Sequence, residues 1–310
     1  MSSAYGHIRP FFRGELRENE PLSRHTSLKV GGPADLFAVP EDEDDLRLLV
    51  SALERLNIAW LAIGRGHNLL VRDKGIRGAV ISLERFNRIE VIPHPLPLPA
   101  LEGEGEYIKA GAGADNLAVV RFAQERGMGG IGFISGIPGT VGGAVRMNAG
   151  AYGEGILERT ACLTLLRDGQ VREWCMDELE YGYRRLALEP GDIVLSAVFG
   201  LEAREPHHTE AEIRKDLELR RSKHNVGFPS AGSFFKNPPG QAAWRLIDAA
   251  GMRGAAVGGA QVSELHSNFL VNRGGATARD FLELATLVRA AVLETSGISL
   301  EEEVRIVGEE

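Results

Sequence analysis

The sequence predicts an α+β fold in about two domains. Its 310 residues are roughly twice a usual domain of about 150. Short apolar runs of strand length interleave with amphipathic stretches of helical period. Glycine is the outlier, at 38 of 310 residues, about 12% against a usual ~7%, and much of it is concentrated in a few loops.

Residues 1–20 read as a flexible leader, since Phe11 and Phe12 belong to no periodic pattern. Leu36–Val39 is a short strand-like run. Pro40 then opens an acidic helix over Glu41–Leu56, with Leu46, Leu49, Val50 and Leu53 on one face. Trp60–Ile63 and Ala79–Leu83 read as buried strands. Ile89–Ile92 and Tyr107–Ala110 read as a strand pair, joined by an excursion whose alternating prolines (Pro93 to Pro99) remove ladder donors and favour an extended form. Asp115–Arg126 is an amphipathic helix stopped by Gly127. The tract Gly127–Gly155 is so rich in glycine that neither ordinary helix nor sheet is expected there. Ala161–Arg167 and Ile193–Leu201 resume strand character. Polar composition at Ala203–His208 marks the main domain boundary. Beyond it, helices are expected over Glu210–Lys223, Gln241–Ala250 and Thr277–Thr295, the last ending near Gly297. Strands are expected at Asn268–Asn272 and Glu303–Val307.

A hydrophobic fraction of 44% with 25% charged residues is that of a soluble globular chain and excludes disorder as the main state. A net charge of −8 argues against nucleic acid as partner, because neutralising phosphates needs a basic surface. No run approaches the ~20 apolar residues of a spanning helix, so no membrane is expected. The polar stretch Met1–Pro21 lacks the apolar core of a signal peptide. Cys162 and Cys175 lie in strand-like segments and fit neither a zinc spacing nor a CxxC motif, so both read as buried free thiols. A reducing, cytoplasmic setting and a monomer are the expectation. No metal site is indicated, for the histidines show no ligand spacing.

Three glycine-bearing segments stand out: Gly31-Gly32-Pro33-Ala34, then Gly64-Arg65-Gly66-His67-Asn68-Leu69 directly after a strand, then Gly136-Ile137-Pro138-Gly139-Thr140-Val141-Gly142-Gly143-Ala144 continuing to Asn148 and Gly150. Glycine lets backbone N–H groups surround phosphate oxygens, and three such loops together suggest a pyrophosphate cofactor, although each alone reads as a tight turn. The dinucleotide fingerprint is not met, since Leu69 occupies the third glycine position, and no G-x-x-x-x-G-K-[ST] loop occurs. Farther on, Ser230 to Pro238 sets the hydroxyl of Ser233, the ammonium of Lys236 and the amide of Asn237 close together. No G-x-S-x-G elbow marks the serine as a hydrolase nucleophile, and cap or turn serines are the ordinary alternative. Arg184 and Arg185 follow Tyr181-Gly182-Tyr183. One of them could clamp a carboxylate or phosphate, the alternative being a solvated pair. Glu303 opens an alternating stretch, where a glutamate is ordinarily solvated.

In this order, the segments His25–Ala34, Gly64–Val71, Ser135–Gly153, Tyr183-Arg184, Ser230–Pro238, Gly258–Ala260 with Val262-Ser263, Asn268–Asn272 and Glu303–Gly308 resemble the UDP-N-acetylenolpyruvoylglucosamine reductase family of peptidoglycan precursor synthesis, over about Pro21 to Gly308. The resemblance implies an FAD-binding domain of the vanillyl-alcohol-oxidase type over 21–205, in two α+β lobes (about 21–85 and 86–205). A smaller α+β substrate-binding domain over 206–300 and a final strand, 301–310, that returns to the flavin domain would follow. It implies non-covalent FAD, NADPH as hydride donor and a UDP-sugar enolpyruvyl ether as substrate. Gly31, Gly32, Gly64 to Leu69, Gly136 to Thr140, Gly142 to Ala144, Asn148 and Gly150 would hold the cofactor. Arg184 and Glu303 would meet the charge that develops on the enolpyruvyl group, and Ser233 would donate the proton. Glu303 would have to be protonated, or share a proton, to face that charge. Tyr183, Lys223, Lys236 and Asn237 would hold the substrate. No long tyrosine-bearing insertion is present, so the chain resembles the shorter subtype.

Two segments depart from the family pattern, besides an unusual insertion over Pro93 to Glu106. His224-Asn225-Val226 stands where the family tends to have Gln-Pro-Leu, and His67 stands where a small hydroxylated residue is usual. The G-x-G-H pattern is similar to that of flavin oxidases of the same superfamily, some of which attach FAD through histidine. An alcohol or sugar oxidase with covalent flavin at His67 is therefore one alternative, and a non-catalytic nucleotide-binding module another. Acid precipitation separates the first two readings. A reductase releases all its FAD into the supernatant, whereas yellow colour retained in the pellet would support attachment at His67.

Overall fold

A computed structural model describes residues 4–93, 106–151, 153–204, 210, 213–214, 218 and 226–310. Most of the proline excursion, most of the expected helix Glu210–Lys223, Lys223 itself and most of the polar boundary segment lie outside these residues.

The chain divides into two compact units, each discontinuous in sequence. The first comprises Met1–Leu16, Ala38–Gly64 and Val80–Glu218; the second comprises Arg17–Phe37, Arg65–Ala79 and Leu219–Glu310. A four-stranded sheet takes the order Glu15–Pro21, Pro33–Val39, Ile76–Ser82, Trp60–Ile63.

In the first unit a second sheet runs Gln170–Cys175, Thr160–Arg167, Ile193–Ala203, Glu106–Gly111, Ile89–Ile92, with Met128–Gly129 also on the central strand. Its paired strands are antiparallel. The helix Asn116–Gln124 starts where Asp115 accepts from the N–H groups of Leu117 and Ala118. It lays Val119, Val120 and Ala123 into one core with Ile108, Leu163 and Phe199. Helix Glu43–Arg55 begins at Asp42, which accepts from Asp45 N, and buries Leu46, Leu49, Val50 and Leu53 as its period requires.

Two expectations are corrected here. The leader is structured among its described residues: Ala4–Ile8 is helical and Glu15–Pro21 is a strand, with Ile8 and Phe12 buried. Its anchor is distant in sequence. Asp45, fully buried, accepts from the backbone N–H of Arg13 (2.9 Å), Gly14 (2.9 Å) and Glu41 (3.0 Å). No local periodicity can signal such an anchor. The glycine tract, for its part, does contain a helix, Val141–Arg146. The weak propensity of Gly142 and Gly143 is offset because Val141 N and Gly142 N donate to the carbonyls of Ala114 and Ala112, satisfying N–H groups that a helix start leaves open.

In the second unit an antiparallel sheet runs Ser230–Ser233, Phe269–Asn272, Ala260–Val262, Ala256–Val257. Helices Ala243–Ala249 and Ala278–Ser296 share its core through Ile247, Phe281, Leu284 and Val288, joined by Leu28, Val30 and Leu70 from the earlier segments. The long helix is capped by Thr277, which accepts from Asp280 N, and stops at Gly297, φ 71°. Asp73 also caps it, accepting from Ala278 N (2.8 Å) and Arg279 N (2.9 Å). The last strand, Arg305–Val307, pairs in parallel with Leu69–Val71, a strand absent from the expectations above.

Replacing Asp45 with Ala leaves three backbone donors without their acceptor. The expected cost is about 2–4 kcal/mol, from the desolvation penalty of unpaired buried groups. A fall in the urea midpoint checks it. An unchanged midpoint would mean that these three bonds add nothing to stability.

Candidate active site

The first unit gathers Gly64, Gly136 to Ala144, Asn148, Gly150, Tyr183 and Arg184. Gly64 lies against Thr140, where a β-carbon would come within 2.4 Å of the Thr140 Oγ1. The backbones of Asp115 and Thr140 form a bridge, and Gly139 O accepts from Asn116 N. Thr140 occupies the cap position of Val141–Arg146, yet its hydroxyl makes no cap bond. Among the described residues the Oγ atoms of Ser135 and Thr140 are buried without a hydrogen-bond partner. Leaving such a hydroxyl unpaired costs about 1–3 kcal/mol and calls for an explanation. Two orphaned hydroxyls in a glycine-rich segment fit a polar ligand. Phosphate oxygens of a dinucleotide would accept from both.

Arg184 is held in an unfavourable backbone state. Tyr181–Gly182 and Arg185–Leu186 form a hairpin with Tyr183 and Arg184 as its two turn residues. Arg184 adopts φ 55°, the left-handed region, which costs an L-residue roughly 1–2 kcal/mol. Asn148 and Arg146 secure the turn. Asn148 Nδ2 donates to Gly182 O (3.0 Å) and its Oδ1 accepts from Leu157 N (3.1 Å). Arg146 Nη1 donates to Leu186 O (2.7 Å). The Arg184 guanidinium donates to the carbonyls of Asn148 (3.4 Å) and Gly150 (3.1 Å) and lies over the exposed Tyr183 ring. Thus the Asn148 amide links the hairpin, at Gly182, to the backbone at Leu157, and Arg146, which sequence reasoning passed over, supports the turn too.

The second unit gathers Gly31, Gly32, Arg65 to Leu69, Ser233, Lys236, Asn237 and Glu303. His25 lies against the Arg65–Leu69 loop. Its Nε2 lies 2.9 Å from Glu20 Oε1 and its ring stacks on Phe37 at 4.1 Å. Burial pushes the Glu20 carboxyl up, but hydrogen bonds from His25 and Arg17 outweigh it and hold the group below its usual range. So fixed, the His25 carbonyl abuts Gly66, where a β-carbon would sit 2.0 Å away and φ is +63°. Ser27 N donates to Gly66 O, and Gly32 N donates to Arg72 O.

Ser233 ends its strand after a bulge. Ser230 faces Val271 and Ser233 faces Phe269, so one residue is extra, and Gly232 absorbs it at φ 75°. Beside it, Phe234 O accepts from Glu303 N at 2.8 Å. Asn68 Nδ2 donates to Glu303 O at 3.0 Å, and Arg305 N donates to Asn68 O. Three segments singled out in the sequence therefore meet: the Gly64–Val71 loop, the serine strand and the glutamate tail. Asn268 secures the middle one, its amide exchanging hydrogen bonds with the Phe235 backbone (3.0 and 2.8 Å). Lys236 pairs with Glu301 at 3.1 Å, and Asn237 Oδ1 accepts from Ala243 N at 3.0 Å, capping the helix Ala243–Ala249. Arg184 lies in the first unit, Ser233 and Glu303 in the second.

A thiol pair also escaped notice. Cys175 is only half-buried, against expectation, and its Sγ lies 3.3 Å from that of buried Cys162. The Asp168-Gly169 dipeptide could have revealed it, because such a turn sets a hairpin register that counts out to Cys162 opposite Cys175.

Residues 34–171 match the FAD binding domain family, and residues 223–307 match the UDP-N-acetylenolpyruvoylglucosamine reductase C-terminal domain family. A UDP-N-acetylenolpyruvoylglucosamine reductase of Pelobacter propionicus is 72% identical over 96% of this chain and 97% of that relative. The protein of the same name in Geotalea uraniireducens is 53% identical over 96% of this chain and 95% of that one. The crystal structure of the Thermus caldophilus reductase superposes with a TM-score of 0.78 at 33% identity, covering 96% of this chain and 99% of that one. With an α+β fold, an FAD-binding domain and full-length identity at this level, the chain belongs to the UDP-N-acetylenolpyruvoylglucosamine reductase family.

Proposed function

We propose that the protein reduces the enolpyruvyl group of UDP-N-acetylglucosamine enolpyruvate to the lactyl ether of UDP-N-acetylmuramate, with FAD as redox carrier and NADPH as electron source. The observation that carries this reading is that the segments bearing Ser233 and Glu303 meet. The two lie on segments joined by the Glu303 N to Phe234 O bond, inside a chain identical at 72% to a named reductase. Residues 21–205 would bind the cofactor and 206–300 the substrate. The family matches at 34–171 and 223–307 support that division.

Bound FAD would accept hydride from NADPH and supply it to the substrate carbon. The chain's own residues would do the rest. The hydroxyls of Ser135 and Thr140 would bind cofactor phosphate. Arg184, pre-set by its strained turn, would face the negative charge that grows on the substrate's carboxylate as it takes hydride. Such fixed charge is worth most where it need not reorganise. Ser233 would hand a proton to the carbon beside that carboxylate. A serine hydroxyl is a weak acid and needs help from its surroundings; Glu303, protonated on the neighbouring segment, would join Arg184 in meeting the developing charge. Lys236, Asn237, Tyr183 and Lys223 would position the sugar nucleotide.

An anaerobic titration tests the whole reading. NADPH should bleach the flavin band, and the enolpyruvyl sugar nucleotide should restore it. A flavin reduced by an alcohol but not by NADPH would replace the reductase with an oxidase. Ser233→Ala should bleach normally and then fail to reoxidise with the sugar nucleotide; reoxidation at the normal rate would remove Ser233 as donor. Arg184→Ala should keep FAD and lose about 10²–10³-fold in kcat, as for the loss of one charge-stabilising donor.

A further inference from the structure

The outer hairpin of the first unit carries two thiols in a geometry that suits a covalent bond. Its turn residues, Asp168 (φ 49°) and Gly169 (φ 71°), are both left-handed, the turn that matches strand twist in a two-residue hairpin. Arg167 and Gln170 close the ladder as a hydrogen-bonded pair, and pair type alternates outward. No register shift intervenes, so Cys162 and Cys175 form a non-hydrogen-bonded pair, the kind whose Cα atoms lie ~4.5 Å apart and whose side chains stand closest. That spacing falls within the ~4.4–6.8 Å that a disulfide spans. The sulfurs, 3.3 Å apart, can bond by side-chain rotation alone.

The two thiols differ in access. Cys162 is packed among Tyr107, Ala161 and Val198, whereas Cys175 is half-buried on the edge strand. Burial, and then the hydrogen bond to Cys175, push the Cys162 thiol up to about 12, so it keeps its proton. Cys175 is the sulfur an oxidant reaches first.

We propose that Cys162 and Cys175 are a modification site, closing to an intrachain disulfide under two-electron oxidants of the peroxide class. The Cys175 sulfur attacks a peroxide oxygen. The O–O bond breaks, water leaves and Cys175 becomes a sulfenic acid. The Cys162 sulfur then attacks the Cys175 sulfur as its proton passes to the departing hydroxyl, so that the S–O bond breaks and a second water leaves. Both sulfurs are oxidised and the peroxide is reduced. The bond ties the edge strand Gln170–Cys175 to its neighbour at the point where the chain leaves, through the turn Met176–Glu178, for the hairpin of Arg184. No other cysteine exists to compete.

The test treats the FAD-loaded protein with hydrogen peroxide and maps it by peptide mass spectrometry without reduction. The expected product is a cross-linked peptide pair lighter by two hydrogens, with a thermal midpoint raised by several degrees and restored by dithiothreitol, since the cross-link restricts the unfolded chain. Cys175→Ser and Cys162→Ala, each treated alike, should show neither the cross-link nor the shift. Sulfinic acid at Cys175 with Cys162 still a thiol, a disulfide between two chains, or a midpoint unchanged in the cross-linked protein would overturn the proposal.

Discussion

A buried amide determines how the first unit presents its arginine. Asn148 sits in the left-handed region at φ 40°, within a tract where neither sheet nor long helix supplies partners. Buried backbone groups in such a tract must be satisfied individually. The Asn148 side chain satisfies two, at Gly182 and Leu157, and its own carbonyl receives Arg184. Glycine density alone would permit many paths for this segment. The amide selects one, and the strain at Arg184 is tolerated because bonds on both strands of its hairpin over-determine the turn.

The second unit meets the same requirement differently. Its irregular segments borrow partners from one another. Asn268 stands in for a strand beside Phe235, Glu303 reaches the Phe234 carbonyl, and Asn68 reaches the Glu303 carbonyl. Asp73 serves a helix about two hundred positions away, as a cap ordinarily serves its own. The serine segment is thereby held on a rigid framework although it is a bulged strand end, and rigid support of this kind is what a reacting group needs.

Local chemistry made much of this legible. Pro40, Asp115 and Thr277 mark helix starts, Gly127 and Gly297 mark ends, and short apolar runs mark the central strands. Those signals act over a few residues, within the reach of periodicity. The segments around Gly64, Gly136 and Ser233 stand out by their residues alone, whereas the roles expected of Ser233 and Glu303 rest on family resemblance. What escaped was long-range. The backbone at Arg13 and Gly14 is held by Asp45, the strand Leu69–Val71 pairs with Arg305–Val307, and the helix in the glycine tract depends on carbonyls at Ala112 and Ala114. The Cys162–Cys175 contact was within reach, because Asp168-Gly169 sets the register.

The parallel pairing of Leu69–Val71 with Arg305–Val307 also bears on how the protein is made. Asn68 and its partner Glu303 are separated by 235 positions. At ~5–20 residues per second on the ribosome, the early strand waits roughly 10–50 s for its mate to be synthesised. Throughout that interval its backbone is an open edge in a nascent chain, the kind of surface that invites pairing with a neighbour. Only three residues long, the strand offers little to a wrong partner, and its brevity works as a safeguard during translation.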